Sequence, residues 1–205
     1  STDGLFVGYI TNSGTIASEA ANGTAGGIRF VNGVSFQGVL DNSGTISGAQ
    51  NGLYFGNPTP AGGGEFSQAI VNNSGTLSSD SRALNIDGTG LVVNNTGEIL
   101  GTGNQRNGTV YADSTAQDFE LNNFVTGVID AGEGNQGAGF SVELSSAEDG
   151  GNACDINNAG TIQGRGTAGA GSPLAGDGLR FERTRVGGAL DASTNGLFVG
   201  NITNS

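Results

Sequence analysis

The sequence has no Lys, His, Met or Trp, a single Cys and only three Pro in 205 residues. Each absence excludes something. With Lys missing, all seven basic residues are Arg, and against 19 acidic residues they leave a formal net charge of −12. Phosphate recognition relies on clustered cationic side chains, so nucleic acid and anionic membrane surfaces are poor partners for this chain. Isopeptide cross-links of the pilus kind also need Lys and are excluded. The lone Cys154 has no internal disulfide partner, and its alternation with Ile156 around Asp155 reads as a small, buried apolar side chain. No apolar run approaches the roughly 18 residues of a membrane span. No basic start followed by a hydrophobic segment marks a signal peptide, and there is no initiator Met. The expectation is therefore a processed or excised piece, with export signals and anchors lying outside it.

What is present is glycine, 40 residues of it, with Asn, Ser and Thr between short apolar pairs. Val, Ile, Leu and Phe together make 47 of 205, close enough to the disordered range that composition alone does not decide. Their placement does. One phrase recurs: ITNSGTI from Ile10, LDNSGTI from Leu40, VNNSGTL from Val71, VNNTGEI from Val93 and INNAGTI from Ile156, with a looser copy, LNNFVTGVI, from Leu121. Its glycines are Gly14, Gly44, Gly75, Gly97, Gly127 and Gly160, spaced 30, 31, 22, 30 and 33 residues apart.

A second piece lies between these phrases: GIRF at Gly27, GLYF at Gly52, ALNI at Ala83, GTVY at Gly108 and GLRF at Gly178. Each alternates apolar with polar, as a half-buried strand does. A third feature is an aromatic opening the strand before the Asn phrase, at Phe36, Phe66 and Phe119. Three short strands per period, without helical periodicity and with almost no Pro, predict an all-β, right-handed parallel β-solenoid, or β-helix, in which each period is one coil. Leu40, Ile46, Ile28 and Phe30 then point inward and stack on their equivalents one coil away, while Thr45 and Arg29 face solvent.

Within the phrase, Asn12, Asn42, Asn73, Asn95 and Asn158 fall one above another and are expected to hydrogen-bond as a structural amide ladder. The glycines are expected at turns where Gly and Asn tolerate positive φ. Thr15, Thr45, Thr76 and Thr161 form an outward row that follows from β-propensity. Gly-, Pro- and Ser-rich segments at Asn57 to Glu65 and Gln163 to Asp177 read as loops bulging from single coils.

The two ends carry a longer period. STDGLFVGYITNS at Ser1 to Ser13 returns as STNGLFVGNITNS at Ser193 to Ser205, differing only at Asp3 against Asn195 and Tyr9 against Asn201. The offset of 192 residues predicts one repeat unit over residues 1–192, with 193–205 starting the next tandem copy. Counting six Asn phrases and a degenerate rung around Leu190 gives about seven coils, a rise of roughly 34 Å at the usual strand spacing. Neither end shows a polar cap over its edge strands, so the expected partners are adjacent copies of the same repeat, end to end.

These phrases resemble the NSGTI-type repeats of bacterial autotransporter passengers and filamentous-haemagglutinin-like surface proteins, through NSGTI at Asn12 and Asn42, NSGTL at Asn73 and NAGTI at Asn158. The resemblance implies a right-handed β-helix, secretion and display at a bacterial cell surface, with the 192-residue period as a departure that favours a regular filament. The competing expectation is an adhesin whose two bulging loops bind glycans or neighbouring cells. Enzymatic function is not expected: β-helix glycosidases and lyases need paired carboxylates in a cleft or a base with cationic or metal help, whereas here His and Lys are absent and the acids are scattered. The charged cluster Arg180, Glu182, Arg183 and Arg185 reads as a solvated, ion-paired edge interrupted by a loop or bulge. No cofactor is expected. IDGTG at Ile86 resembles a calcium loop but lacks the repeated GGxGxD spacing of a calcium row, leaving one Asp in a turn.

Overall fold

The computed structural model describes residues 4–19, 25–31, 34–56, 68–101, 108–132, 137–144, 152–165, 176–183, 185–186, 189–190 and 197–205. Among these there is no helix; the chain is a parallel β-solenoid with three sheets. The first sheet is made by Leu5–Asn12, Ser35–Asn42, Gln68–Asn73, Val92–Asn95, Phe119–Asn123, Asn152–Asn158 and then Phe198–Val199 with Ile202–Asn204. The second stacks Thr15–Ser18, Thr45–Gly48, Thr76–Ser79, Glu98–Gly101, Val128–Asp130 and Thr161–Gln163. The third stacks Gly26–Phe30, Asn51–Phe55, Arg82–Ile86, Val110–Ala112, Phe140–Leu144 and Leu179–Arg183. Each coil contributes one strand to each sheet, so successive strands of a sheet come from successive coils and all pair in parallel.

Alternation within each strand dictates the core. Leu40, Val71, Val93, Leu121 and Ile156 stand in register on the first sheet, and Ile46, Leu77, Ile99, Ile129 and Ile162 on the second. All but Ile162 are buried, and burying each such side chain contributes about 1.5–3 kcal/mol. The first coils are glued by aromatics: Phe30 stacks on Phe36 at 4.8 Å and on Phe55 at 5.1 Å. Further along, Phe119 meets Phe140 edge-on at 6.0 Å. Phe66 lies outside the described residues.

Three details depart from the sequence reading. The count of about seven coils resolves into six three-strand coils and the first sheet of a seventh, because Arg185–Val186 and Ala189–Leu190 form an antiparallel pair rather than a rung of the solenoid. The 192-residue interval from Phe6 to Phe198 thus spans six coils, or about 29 Å at roughly 4.8 Å per coil. In the fourth coil, Val110 pairs with Leu84 and Tyr111 with Asn85, so Thr109 and not Gly108 stands level with Ala83. The fifth coil's third strand, Phe140–Leu144, was not identified from the sequence; its Gly-Phe-Ser-Val start is a copy of the same piece with the aromatic moved to the second position.

Candidate functional site

The corner between the first and second sheets is built around buried asparagines. Asn12 Nδ2 donates to Asn42 Oδ1, Asn42 to Asn73, Asn73 to Asn95, Asn95 to Asn123 and Asn123 to Asn158, each at 2.8 Å; Asn158 donates to Asn204 at 2.7 Å. Asn42, Asn73, Asn95 and Asn123 are at most 1% exposed. The same amides turn the corner: Asn73 Nδ2 also donates to the Gly75 carbonyl at 3.3 Å and to the Glu98 carbonyl of the next coil at 3.1 Å. Asn123 was missing from the sequence reading, because its phrase has two extra residues before the glycine. The structure absorbs them as a longer turn, with Asn123 bonding the carbonyl of Gly127 four residues on.

The turn glycines are explained by a different cause from the expected one. None of Gly14, Gly44, Gly75, Gly97, Gly127 and Gly160 has a positive φ. Gly44, Gly75, Gly97, Gly127 and Gly160 are glycine because the packing of coil on coil leaves no room for a side chain. A methyl group on Gly44 would lie 2.1 Å from the Gly14 carbonyl oxygen, on Gly75 2.1 Å from that of Gly44, on Gly97 2.2 Å from that of Gly75, and on Gly160 2.3 Å from that of Gly127. On Gly127 it would fall 2.2 Å from Asn123 Oδ1. Gly14 alone in this row meets nothing within 4 Å.

A second amide row, one residue earlier on the same strands, faces outward. Asn72 donates to Asp41 at 2.8 Å, Asn94 to Asn72 at 2.9 Å, Asn122 to Asn94 at 3.0 Å and Asn157 to Asn122 at 2.9 Å. Its signal in the sequence was the doubled Asn of VNN, LNN and INN, which alternation places on opposite faces.

The outer face of the third sheet holds the densest polar chemistry. Tyr54 Oη donates to Asp87 Oδ2 at 2.6 Å, and Tyr111 Oη to the Glu143 carboxylate. Arg29 lies over the Tyr54 ring at 5.4 Å and Arg82 over that of Tyr111 at 4.2 Å. Burial pushes the Asp87 carboxyl up to about 6; the Tyr54 hydrogen bond pulls the other way and nearby Asp113 adds to the rise. Burial likewise raises both tyrosine hydroxyls, so both remain protonated donors. Arg180, in line with Ser141 on this face, is buried and paired with Asp177 at 2.8 Å, which corrects the expectation of a solvated arginine edge. The side chains of Arg183 and Arg185 lie outside the described residues.

Chemically, this face offers tyrosine hydroxyls already donating to the two carboxylates and arginines already stacked on the rings. Asp87, whose carboxyl burial raises to about 6, accepts its hydrogen bond from Tyr54. Among the described residues no three His, Cys, Asp or Glu side chains come together as metal ligands. Cys154 is buried beside Phe119's strand, its thiol pushed up to about 12 by burial, with Asp155 adding to the rise. Residues 57–65 and 166–175, which cover the first bulging loop and most of the second, lie outside the described residues; from the second, Arg165 pairs with Asp130 at 2.9 Å.

The last rung completes the picture. Phe198–Val199 and Ile202–Asn204 lie parallel on Asn152–Asn158, with Ile202 level with Ile156 and Asn204 with Asn158. Phe198 packs edge-on against Phe181 at 4.8 Å, and Asn201 donates both its backbone N–H and its amide to Asp155 Oδ1, at 2.8 and 3.0 Å. Comparison with protein families, curated proteins and solved structures finds no match to the chain.

Proposed function

We propose that the chain is a structural unit of an extracellular, cell-surface filament in which tandem copies of the 192-residue unit continue one solenoid. The observation that supports this reading is the last rung: the returning sequence is laid on the sixth coil in parallel register, with the amide ladder running on from Asn158 to Asn204. A solenoid edge exposes unpaired backbone donors and acceptors, and a following coil of matching shape satisfies them. Head-to-tail contacts of this kind generate open fibres rather than closed rings.

On this reading the unit binds its own copies and catalyses nothing. Its polar face serves packing, with tyrosine hydroxyls and arginines already committed to carboxylates and rings. Electron microscopy of native material tests it: thin filaments are expected with an axial repeat of about 29 Å, six coils at roughly 4.8 Å each. Compact isolated particles would sink the proposal. So would turnover of a polysaccharide by the purified chain that one carboxylate substitution abolishes.

A further inference from the structure

We infer that the outward edge of the first coil, Leu5–Asn12 with Thr15–Ser18 and Gly26–Phe30, is a docking surface for the sixth-coil edge of a second copy. In that contact Gly8 lies over the Cys154 carbonyl and Asn12 accepts the Asn158 amide. This rests on the filament reading and names the contact, its direction and its register.

The first argument is the internal copy. Residues 197–205 repeat residues 5–13 with one substitution, and the structure seats them on Asn152–Asn158. The first coil presents the same groups without a coil beneath. Phe6, the counterpart of Phe198, is 42% exposed, and Leu5 and Val7 are 57% and 67% exposed. An apolar row of this kind on a sheet edge is a template for pairing.

Glycines supply a second, independent argument. A methyl group on Gly38 would lie 1.8 Å from the Gly8 carbonyl oxygen, and on Gly200 1.7 Å from the Cys154 carbonyl oxygen, so the coil directly beneath excludes a side chain at both, where φ values of +145° and +151° favour glycine as well. At Gly8 the same methyl group meets only the Phe6 ring, at 3.7 Å, and at Gly14 it meets nothing. Gly8 has a backbone reason to be glycine, a φ of +158°, but Gly14 has no positive φ and answers no demand from the described residues. A sixth-coil edge beneath supplies the demand at Gly14, with Gly160 of the second copy standing under it as Gly127 stands under Gly160.

The amide ladder adds direction. Every interior ladder asparagine accepts from the coil before and donates to the coil after; Asn12 Oδ1 accepts only a 3.3 Å contact from the Gly14 N–H. Asn158 of a second copy is the donor that completes it, in the one register that also places Ile10 on Ile156. A one-residue slip would turn the apolar rows outward. The single difference between the two copies falls at the contact: Tyr9 stands where Asn201 donates twice to Asp155. Tyr9 keeps the backbone N–H but loses the amide, so a docked first coil holds more weakly than the built-in rung.

The test uses the whole chain. Gly200→Val expels residues 197–205 from the sixth coil, and sedimentation velocity should then show a shift from monomer to dimer and longer species. Adding Gly14→Val, whose new side chain meets nothing within 4 Å in the monomer, should return the chain to monomer, while adding Tyr9→Asn should tighten association several-fold. Mixing Thr11→Cys chains with Asn157→Cys chains should give an interchain disulfide between these level positions, because Thr203, the counterpart of Thr11, is level with Asn157. The disulfide experiment also runs at raised concentration with both glycines intact, where a second copy brings three strands against the one that residues 197–205 supply. A folded Gly200→Val chain that stays monomeric, a Gly14→Val addition without effect, or no disulfide from the mixture with both glycines intact overturns the contact. Filaments of native material with the 29 Å repeat beside such results would leave the filament reading standing and remove only this interface.

Discussion

Two rows of asparagine run one residue apart, the inner from the first coil to the seventh and the outer from the third to the sixth, and they differ in what replaces a lost hydrogen bond. In the inner row, Asn42, Asn73, Asn95, Asn123 and Asn158 are linked at 2.8 Å; in the outer row, Asn72, Asn94, Asn122 and Asn157 are linked at 2.9 to 3.0 Å. The lengths barely distinguish them. Water does: the inner amides are sealed at the corner, where an unmet donor or acceptor has no substitute, while the outer amides face solvent that supplies one. Bond geometry alone therefore says little about which row holds the solenoid together.

Asn95→Ala should make the comparison most visible. It strands one N–H of the Asn73 amide, whose other N–H keeps the Gly75 and Glu98 carbonyls, strands the Asn123 carbonyl oxygen and removes the amide bond to the Gly97 carbonyl, so about 3–5 kcal/mol of destabilisation is expected from buried unsatisfied groups. Urea unfolding of the variant reads this directly. A loss under about 1 kcal/mol would show that water reaches the corner and that the inner row is no different from the outer.

Next in size is Gly97→Ala, which drives a methyl group against the Gly75 carbonyl and should cost about 2–3 kcal/mol through overpacking. Its control is Gly14→Ala, with nothing within 4 Å, expected to leave the midpoint of monomer unfolding unchanged. If both substitutions cost the same, backbone conformation rather than coil approach would explain the glycines.

These glycines also show where the sequence was legible. The period, the three-strand coil and the inward rows came from alternation, because Leu40, Ile46 and Phe30 each sit opposite a polar neighbour along their strands. The reason for the glycines did not, since close approach between coils is a property of the stacked pair and leaves no mark within one coil. Asn123 was hidden by a two-residue insertion that preserves the ladder while changing the spacing. Arg180 looked like a surface charge because its partner Asp177 sits before the strand, outside the dense cluster. The outer row was missed from the sequence, although the doubled asparagines carry its signal and alternation places their two side chains on opposite faces.

Asp87 extends the comparison to a buried carboxyl. Its proton is held more tightly in the fold, with a pKa of about 6 against an ordinary 3.8. Its contribution therefore favours folding fully below pH 4 and is lost as the pH rises through 6. Asp87→Asn keeps an acceptor for the Tyr54 hydroxyl and removes the buried charge. The variant should be more stable than the parent by about 2 kcal/mol at pH 7, with the difference closing towards pH 4. Thermal unfolding of both proteins across that range checks it, and a constant offset at every pH would assign the effect to packing instead.

The smallest expected effect belongs to the outer row itself. Asn94→Ala breaks two bonds, to Asn72 at 2.9 Å and from Asn122 at 3.0 Å, as many ladder bonds as Asn95→Ala breaks. Asn122 keeps a second acceptor in Glu120 Oε1 at 2.9 Å, and the stranded Asn72 oxygen can turn to water. Replacing a protein hydrogen bond by a water one changes stability by about 0.5–1 kcal/mol at most, and alanine suits a strand no worse than asparagine does, so propensity adds no further loss. The expected loss is thus about 1 kcal/mol or less, several-fold below that of the neighbouring residue on the same strand. The two variants, measured side by side in urea, form the sharpest version of the comparison, because strand, coil and number of broken ladder bonds are held constant, leaving access to water and the Asn95 bond to the Gly97 carbonyl as the differences. An Asn94→Ala loss as large as that of Asn95→Ala would mean that the outer row is sealed from solvent in the assembled molecule.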